Sequence, residues 1–232
     1  MDDARRLGLI VPSSNTAAER DFRRFLPADV EVHAARMYLA ERSAAAEHVM
    51  LEQHAPRAAK DLGTLKPELV VFSCTSAGAL LGIEGEEVLE QNLGMWSGAP
   101  IVSTNASVAW RLGTLGLKRI AVVTAYIDEL NREIAATLHG RGFDVATING
   151  MGITDNYSIA LVSPDEIVEC AEDAVAGLEV DGVFISCTNL RSAEAADRLS
   201  SRTGLPVVTS NLAAIDCTLD RLGLPVTGVG IP

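Results

Sequence analysis

Cys74 and Cys187 stand in matching surroundings 113 positions apart. Each ends a short β-branched run and opens a turn of small polar residues, VVFSCTSAG over 70–78 and VFISCTNLR over 183–191. A thiol at a strand end, with backbone N–H groups around it, is expected to ionise more readily, and a thiolate is both a nucleophile and a base. One such cysteine is more often a small buried apolar residue. Two at one offset favour a functional pair. Cys170, in VECAEDAV, and Cys217, in AIDCTLDRL, lie in helical runs and are read as helix packing.

Other polar residues gather near the same strand ends. Ser13-Ser14-Asn15-Thr16 falls between the first strand and the first helix, where hydroxyl, amide and N–H groups surround an anion at the positive end of a helix. Thr75 and Thr188 directly follow the two cysteines, and Tyr126 lies 113 positions after Ser13. Asn156 sits in TDNYSIA. By type alone, Tyr126 reads as a strand-end rim residue and Asn156 as an Asx turn. Asn105 and Asn211 occupy matched TNAS and SNLA turns and are read as helix N-caps. Two thiols and a ring of donors suit proton transfer at a carbon beside a carboxylate. The donors hold the developing enediolate charge, and a base stands ready on each face.

Positioning such residues takes strands that end together. Runs of strand length recur at 7–12, 30–35, 68–73 and 100–103, and the series restarts at 119–124, 143–149, 180–186 and 206–209, with amphipathic helix-length segments between. That alternation predicts βαβ units and mostly parallel sheets. The offset joining the cysteines also carries Ile10 onto Val123, and GAPIVSTNAS (98–107) answers GLPVVTSNLA (204–213). An internal duplication explains both. The fold class expected is therefore α/β, with two pseudo-symmetric lobes, each a four-stranded mostly parallel sheet flanked by helices, and the site between them. Helices over 106–115 and 212–222 are long enough to cross, so the lobes are expected at 1–107 plus 213–232 and at 108–212. Thr16-Ala17-Ala18-Glu19 and Ser163-Pro164-Asp165-Glu166 both read as capping boxes.

Composition narrows the partners. A net charge of −12 repels nucleic acid and anionic membrane surfaces. The beginning of the chain has no long apolar stretch and no run reaches membrane-helix length, so a cytoplasmic location is expected. There the four cysteines stay free thiols. With no CxxC, scattered histidines and no dinucleotide or phosphate-loop fingerprint, neither a metal nor a cofactor is expected. Oligomeric state is left open, a homo-oligomer included.

PSSNT (12–16), the two strand-end cysteines, TAYIDELN (124–131) and DNYSIA (155–160) together resemble the Asp/Glu racemase superfamily, specifically its maleate cis–trans isomerase and arylmalonate decarboxylase branch. The resemblance spans nearly the whole chain. It implies a cofactor-independent enzyme with two α/β lobes, its site lined by Asn15, Cys74, Tyr126, Asn156 and Cys187. Arylmalonate decarboxylases are known for keeping only the second cysteine, with glycine at the first position. A chain with both matches the isomerases and racemases.

The expected function is isomerisation of a small mono- or dicarboxylate, maleate to fumarate first. Cys74 adds to the alkene and Cys187 supplies and withdraws a proton, while Ser14, Asn15, Thr75, Tyr126, Asn156 and Thr188 bind the substrate. The alternatives are an Asp/Glu-type racemase, an arylmalonate-type decarboxylase, and a non-catalytic carboxylate-binding protein. In any two-thiol version the sulfurs approach within about 10 Å across a cleft.

Overall fold

The computed structural model describes residues 5–39, 41 and 43–232. In the first lobe, β1 (Arg5–Pro12), β2 (Val30–Met37), β3 (Leu69–Phe72) and β4 (Ile101–Ser103) pair in the order β2-β1-β3-β4. In the second, β5 (Arg119–Thr124), β6 (Asp144–Gly150), β7 (Gly182–Ser186) and β8 (Val207–Thr209) pair as β6-β5-β7-β8. Every pairing is parallel. The central strands are buried on both faces, as their unbroken aliphatic runs demand. The duplication extends to register: Leu7 faces Leu69 and Ile10 faces Phe72, while 113 positions on Ile120 faces Gly182 and Val123 faces Ile185.

Helices cover the sheets. They are α1 (Ala18–Phe25), α2 (Ala44–Val49), α3 (Ala55–Gly63), α4 (Thr75–Ser97), α5 (Thr104–Thr114), α6 (Asp128–Gly140), α7 (Asn156–Ile159), α8 (Pro164–Val175), α9 (Ser192–Thr203) and α10 (Ser210–Arg221). A π-helical turn at Met50–His54 joins α2 to α3. Gly82, at φ +67°, kinks α4. No helix among the described residues is long and apolar enough to cross a membrane.

The capping box at Ser163 forms as expected, with Ser163 and Glu166 exchanging hydrogen bonds. The one at Thr16 does not. The Asn15 side-chain carbonyl instead accepts from the N–H groups of Ala17 and Ala18, because the Thr16 N–H is engaged by Asn189 Oδ1 of the other lobe.

Two helices leave the strands they follow. From α5, Val108 and Leu112 join the core built around Ile120, Val122 and Val183 of the second lobe. From α10, Ala214, Ile215 and Leu219 pack with Leu7, Leu9 and Phe22 of the first. The last residues depart from the expected span 213–232. The Gly230 carbonyl accepts from Val207 N–H and its N–H donates to Asp197, so the chain end returns to β8 and α9 of the second lobe. Where α5 meets α10, Arg111 and Asp216 form a buried ion pair at 3.1 Å, and Asp216 also accepts from the Thr227 N–H at 2.8 Å. Removing one partner of a buried pair strands the other charge. Arg111→Ala is therefore expected to cost about 3–5 kcal/mol in denaturant unfolding. Arg119→Ala, at the half-exposed pair with Asp144, is expected to leave the midpoint nearly unchanged.

Candidate active site

The carboxyl ends of β3 and β7 meet where the lobes face each other. Cys74 is the N-cap residue of α4, and Cys187 follows β7 directly. Both are buried, at 3% and 5% exposure. They line one cavity of about 20 Å³ with Asn15, Thr75, Tyr126, Asn156 and Thr188. Of the residues expected there, Ser14 alone lies outside. It lines the neighbouring cavity, about 380 Å³, with Glu41, Thr154 and Asp155. Its hydroxyl accepts from Asn156 Nδ2, so it reaches the site only through Asn156. Leu39 and Asn156 border both cavities.

The sequence reading missed Pro12, Leu39, Ser76 and Asn189 in this lining. Ser76 and Asn189 are themselves 113 positions apart, the offset of the two cysteines, and that signal was there to be used.

Hydrogen bonds across the lobes and within the second lobe fix the two turns. Asn15 Nδ2 donates to Thr188 Oγ1 at 3.0 Å, and that hydroxyl donates to the Ser73 carbonyl beside Cys74 at 3.3 Å. Asn189 Nδ2 donates to the Asn156 carbonyl at 2.7 Å. Ser210 Oγ accepts from Thr75 Oγ1 and from the Cys187 N–H, each at 3.1 Å.

Asn105 and Asn211 are not N-caps. Asn105 Nδ2 donates to the Thr75 carbonyl at 3.2 Å, and Asn211 Nδ2 donates to the Thr188 carbonyl at 3.1 Å. Each thus anchors the residue after a cysteine, using a side chain from the helix that follows the last strand of its half. Asn211 Nδ2 also donates to Asp21, whose carboxyl is pushed up by burial. Gly78 admits this packing, since a Cβ there would lie 2.5 Å from Asn105 Nδ2 and 2.6 Å from Glu86 Oε1.

The thiols sit in unequal settings. Burial pushes Cys74 up to about 12, and the charge of Glu47 adds to that. The Ala77 N–H and the Ser76 hydroxyl pull the other way but are outweighed. The depressed thiol expected from the turn is therefore absent at Cys74, because the N–H groups act in a site closed to water. Cys187 carries φ of +141°, a region L-residues rarely enter, and such strain persists only where surroundings over-determine it. Its Sγ accepts from the Asn189 N–H at 3.4 Å, and its carbonyl accepts from the Leu190 N–H. Among the described residues, no group of three or more His, Cys, Asp or Glu is placed to hold a metal ion.

The chain is similar to known proteins along nearly its whole length. A model of the arylmalonate decarboxylase family matches residues 7–231. The maleate isomerase of Nocardia farcinica is 28% identical, aligning over 97% of this chain and 93% of its own length. The maleate isomerase of Pseudomonas putida is 26% identical over 97% of this chain and 95% of its own. The solved structure of the Nocardia farcinica maleate cis–trans isomerase bound to TRIS superposes with a TM-score of 0.87 at 25% identity, covering 97% of this chain and 94% of that one. With a match that runs through both lobes and includes both cysteine turns, the chain belongs to the arylmalonate decarboxylase family.

Proposed function

We propose that this protein is a cofactor-independent cis–trans isomerase of a small unsaturated dicarboxylate, converting maleate to fumarate. The observation that carries the reading is the pair of buried thiols, Cys74 and Cys187, entering one cavity from equivalent strand ends of the two lobes. Cys74 sulfur adds to one alkene carbon, and the displaced π pair moves into the neighbouring carboxylate as an enediolate. Cys187 delivers its proton to the second carbon. The bond between the two carbons is then single and rotates. Cys187 takes the proton back, the double bond re-forms and the Cys74 thiolate leaves, so reactant and product differ only in geometry. Asn15, Thr75, Tyr126, Asn156 and Thr188 border the same cavity and hold the carboxylates and the enediolate charge.

A cavity of about 20 Å³ takes roughly one water, so a four-carbon substrate enters only when its walls part. The shared wall of Leu39 and Asn156 is where the site joins the larger neighbouring space. Four free cysteines fit a reducing cytoplasm, where the chain works on a soluble metabolite.

Proton NMR of maleate with the protein in deuterated buffer tests the reading. Fumarate is expected, and its absence with maleate, together with solvent deuterium entering aspartate or glutamate, would select a racemase. Cys74→Ser and Cys187→Ser are each expected to lower turnover at least about a thousandfold, since one member of a catalytic unit is worth nearly the whole. A Cys74→Gly variant that keeps full turnover of maleate overturns the assignment. Ser210→Ala releases both cysteine turns at once. Its expected effect is a fall in kcat larger than any rise in KM, with about 1–3 kcal/mol lost in unfolding from the unpaired Cys187 N–H.

A further inference from the structure

The addition step needs the proton of Cys74 removed in a site where burial holds it on sulfur. The cavity supplies an acceptor. Ser76 Oγ lies 3.7 Å from Cys74 Sγ and donates to Glu47 Oε1 at 2.7 Å. All three residues are buried, Glu47 at 5% and Ser76 at 7% exposure. Glu47 belongs to α2, whose N-cap Ser43 accepts from the Ala46 N–H, and the short helix turns this one carboxylate inward. Burying a carboxylate is costly unless a hydrogen bond repays it, and 2.7 Å is the length of a charge-assisted one.

We propose that Glu47, acting through the Ser76 hydroxyl, accepts the Cys74 proton as the sulfur attacks. The proposal rests on the isomerase reading above. As the carbon–sulfur bond forms, the Cys74 S–H bond breaks and its proton passes to Ser76 Oγ. The Ser76 proton passes in turn to Glu47 Oε1. The sulfur electron pair makes the new bond, Glu47 becomes a neutral acid, and the reverse transfer returns the proton when the thiolate leaves. No charge is created in the closed cavity by this route; one is moved. A second negative charge beside an ionised Glu47 is what the geometry penalises.

Several titratable groups stand around Glu47. Glu129 and Glu133 of α6 line the adjoining cavity of about 320 Å³ with it, Cys74 and Ser76 face it from α4, and His48 on its own helix is exposed.

The test follows alkylation of Cys74 by iodoacetamide, read by peptide mass spectrometry on the full chain, across about pH 6 to pH 8, with maleate turnover measured in parallel. In the unsubstituted protein the rate is expected to change less than about threefold over that range, because the internal base is present throughout. In Glu47→Gln and in Ser76→Ala it is expected to be lower at neutral pH and to climb about tenfold per pH unit, as free thiolate becomes the only route. A Glu47→Gln protein that alkylates faster, its profile moved to lower pH, overturns the proposal, since that is what losing a mere repelling charge does. If Glu47→Gln does not fold, Ser76→Ala decides alone, and a flat profile there overturns the relay. A flat, Glu47-dependent profile without any maleate turnover sustains the relay and defeats the isomerase reading. Maleate turnover with a profile that climbs in every protein does the reverse.

Discussion

One buried hydroxyl couples the two halves of the site. Ser210 Oγ accepts from Thr75, beside the first cysteine, and from the backbone N–H of Cys187 itself, at 3.1 Å in each case. Ser210 begins α10, the helix whose apolar face completes the first-lobe core although its strand belongs to the second. The exchange of helices and the spacing of the thiols are thus one constraint. The Arg111–Asp216 pair locks α10 against α5, and Asn211 of the same helix reaches both Asp21 and the turn after Cys187. Two thiols on separate lobes need such a lock, since a near-attack geometry tolerates errors of about 1 Å or less.

Closure has a chemical cost and a chemical use. A site with room for about one water strengthens every donor aimed at an enediolate, because no bulk solvent screens it. The same dryness raises Cys74, the thiol that attacks in the proposed reaction. In the proposed mechanism the tension is relieved by keeping the total charge of the site constant while the proton moves. Hydrogen bonds between the lobes, from Asn15 to Thr188, from Thr188 to the Ser73 carbonyl and from the Thr16 N–H to Asn189, hold the closed form and must loosen for substrate to enter.

Strands, lobes and the cysteine pair were legible because each rests on a periodicity the chain repeats. All eight strand-length runs became strands, and the 113-residue offset reappears in the sheet registers. Local chemistry was less legible wherever a partner lay far away in sequence, in the other lobe or in another turn of the same one. Thr16 looks like an N-cap until Asn189 takes its N–H, and Asn105 and Asn211 look like caps until the carbonyls after the cysteines claim them. Ser14 lies behind Asn156 and not in the cavity, because a loop's adjacency in sequence says nothing of which side chain points inward. The thiol's direction of shift was misjudged for a related reason: N–H groups are visible in a turn's composition, but depth of burial is a property of the assembled lobes. Glu47 had no signal at all, being a polar residue in a helix whose inward face is decided by α4 packing across it.

The central claim is that Cys74 forms the bond to carbon while Cys187 handles the proton. Incubating Cys187→Ser with maleate, quenching in acid and mapping the peptides by mass spectrometry tests it most directly. One maleate-derived adduct is expected on the peptide carrying Cys74, absent from Cys74→Ser treated alike. An adduct on Cys187 in the unsubstituted protein, or steady conversion of maleate with Cys74 replaced by serine, would contradict it.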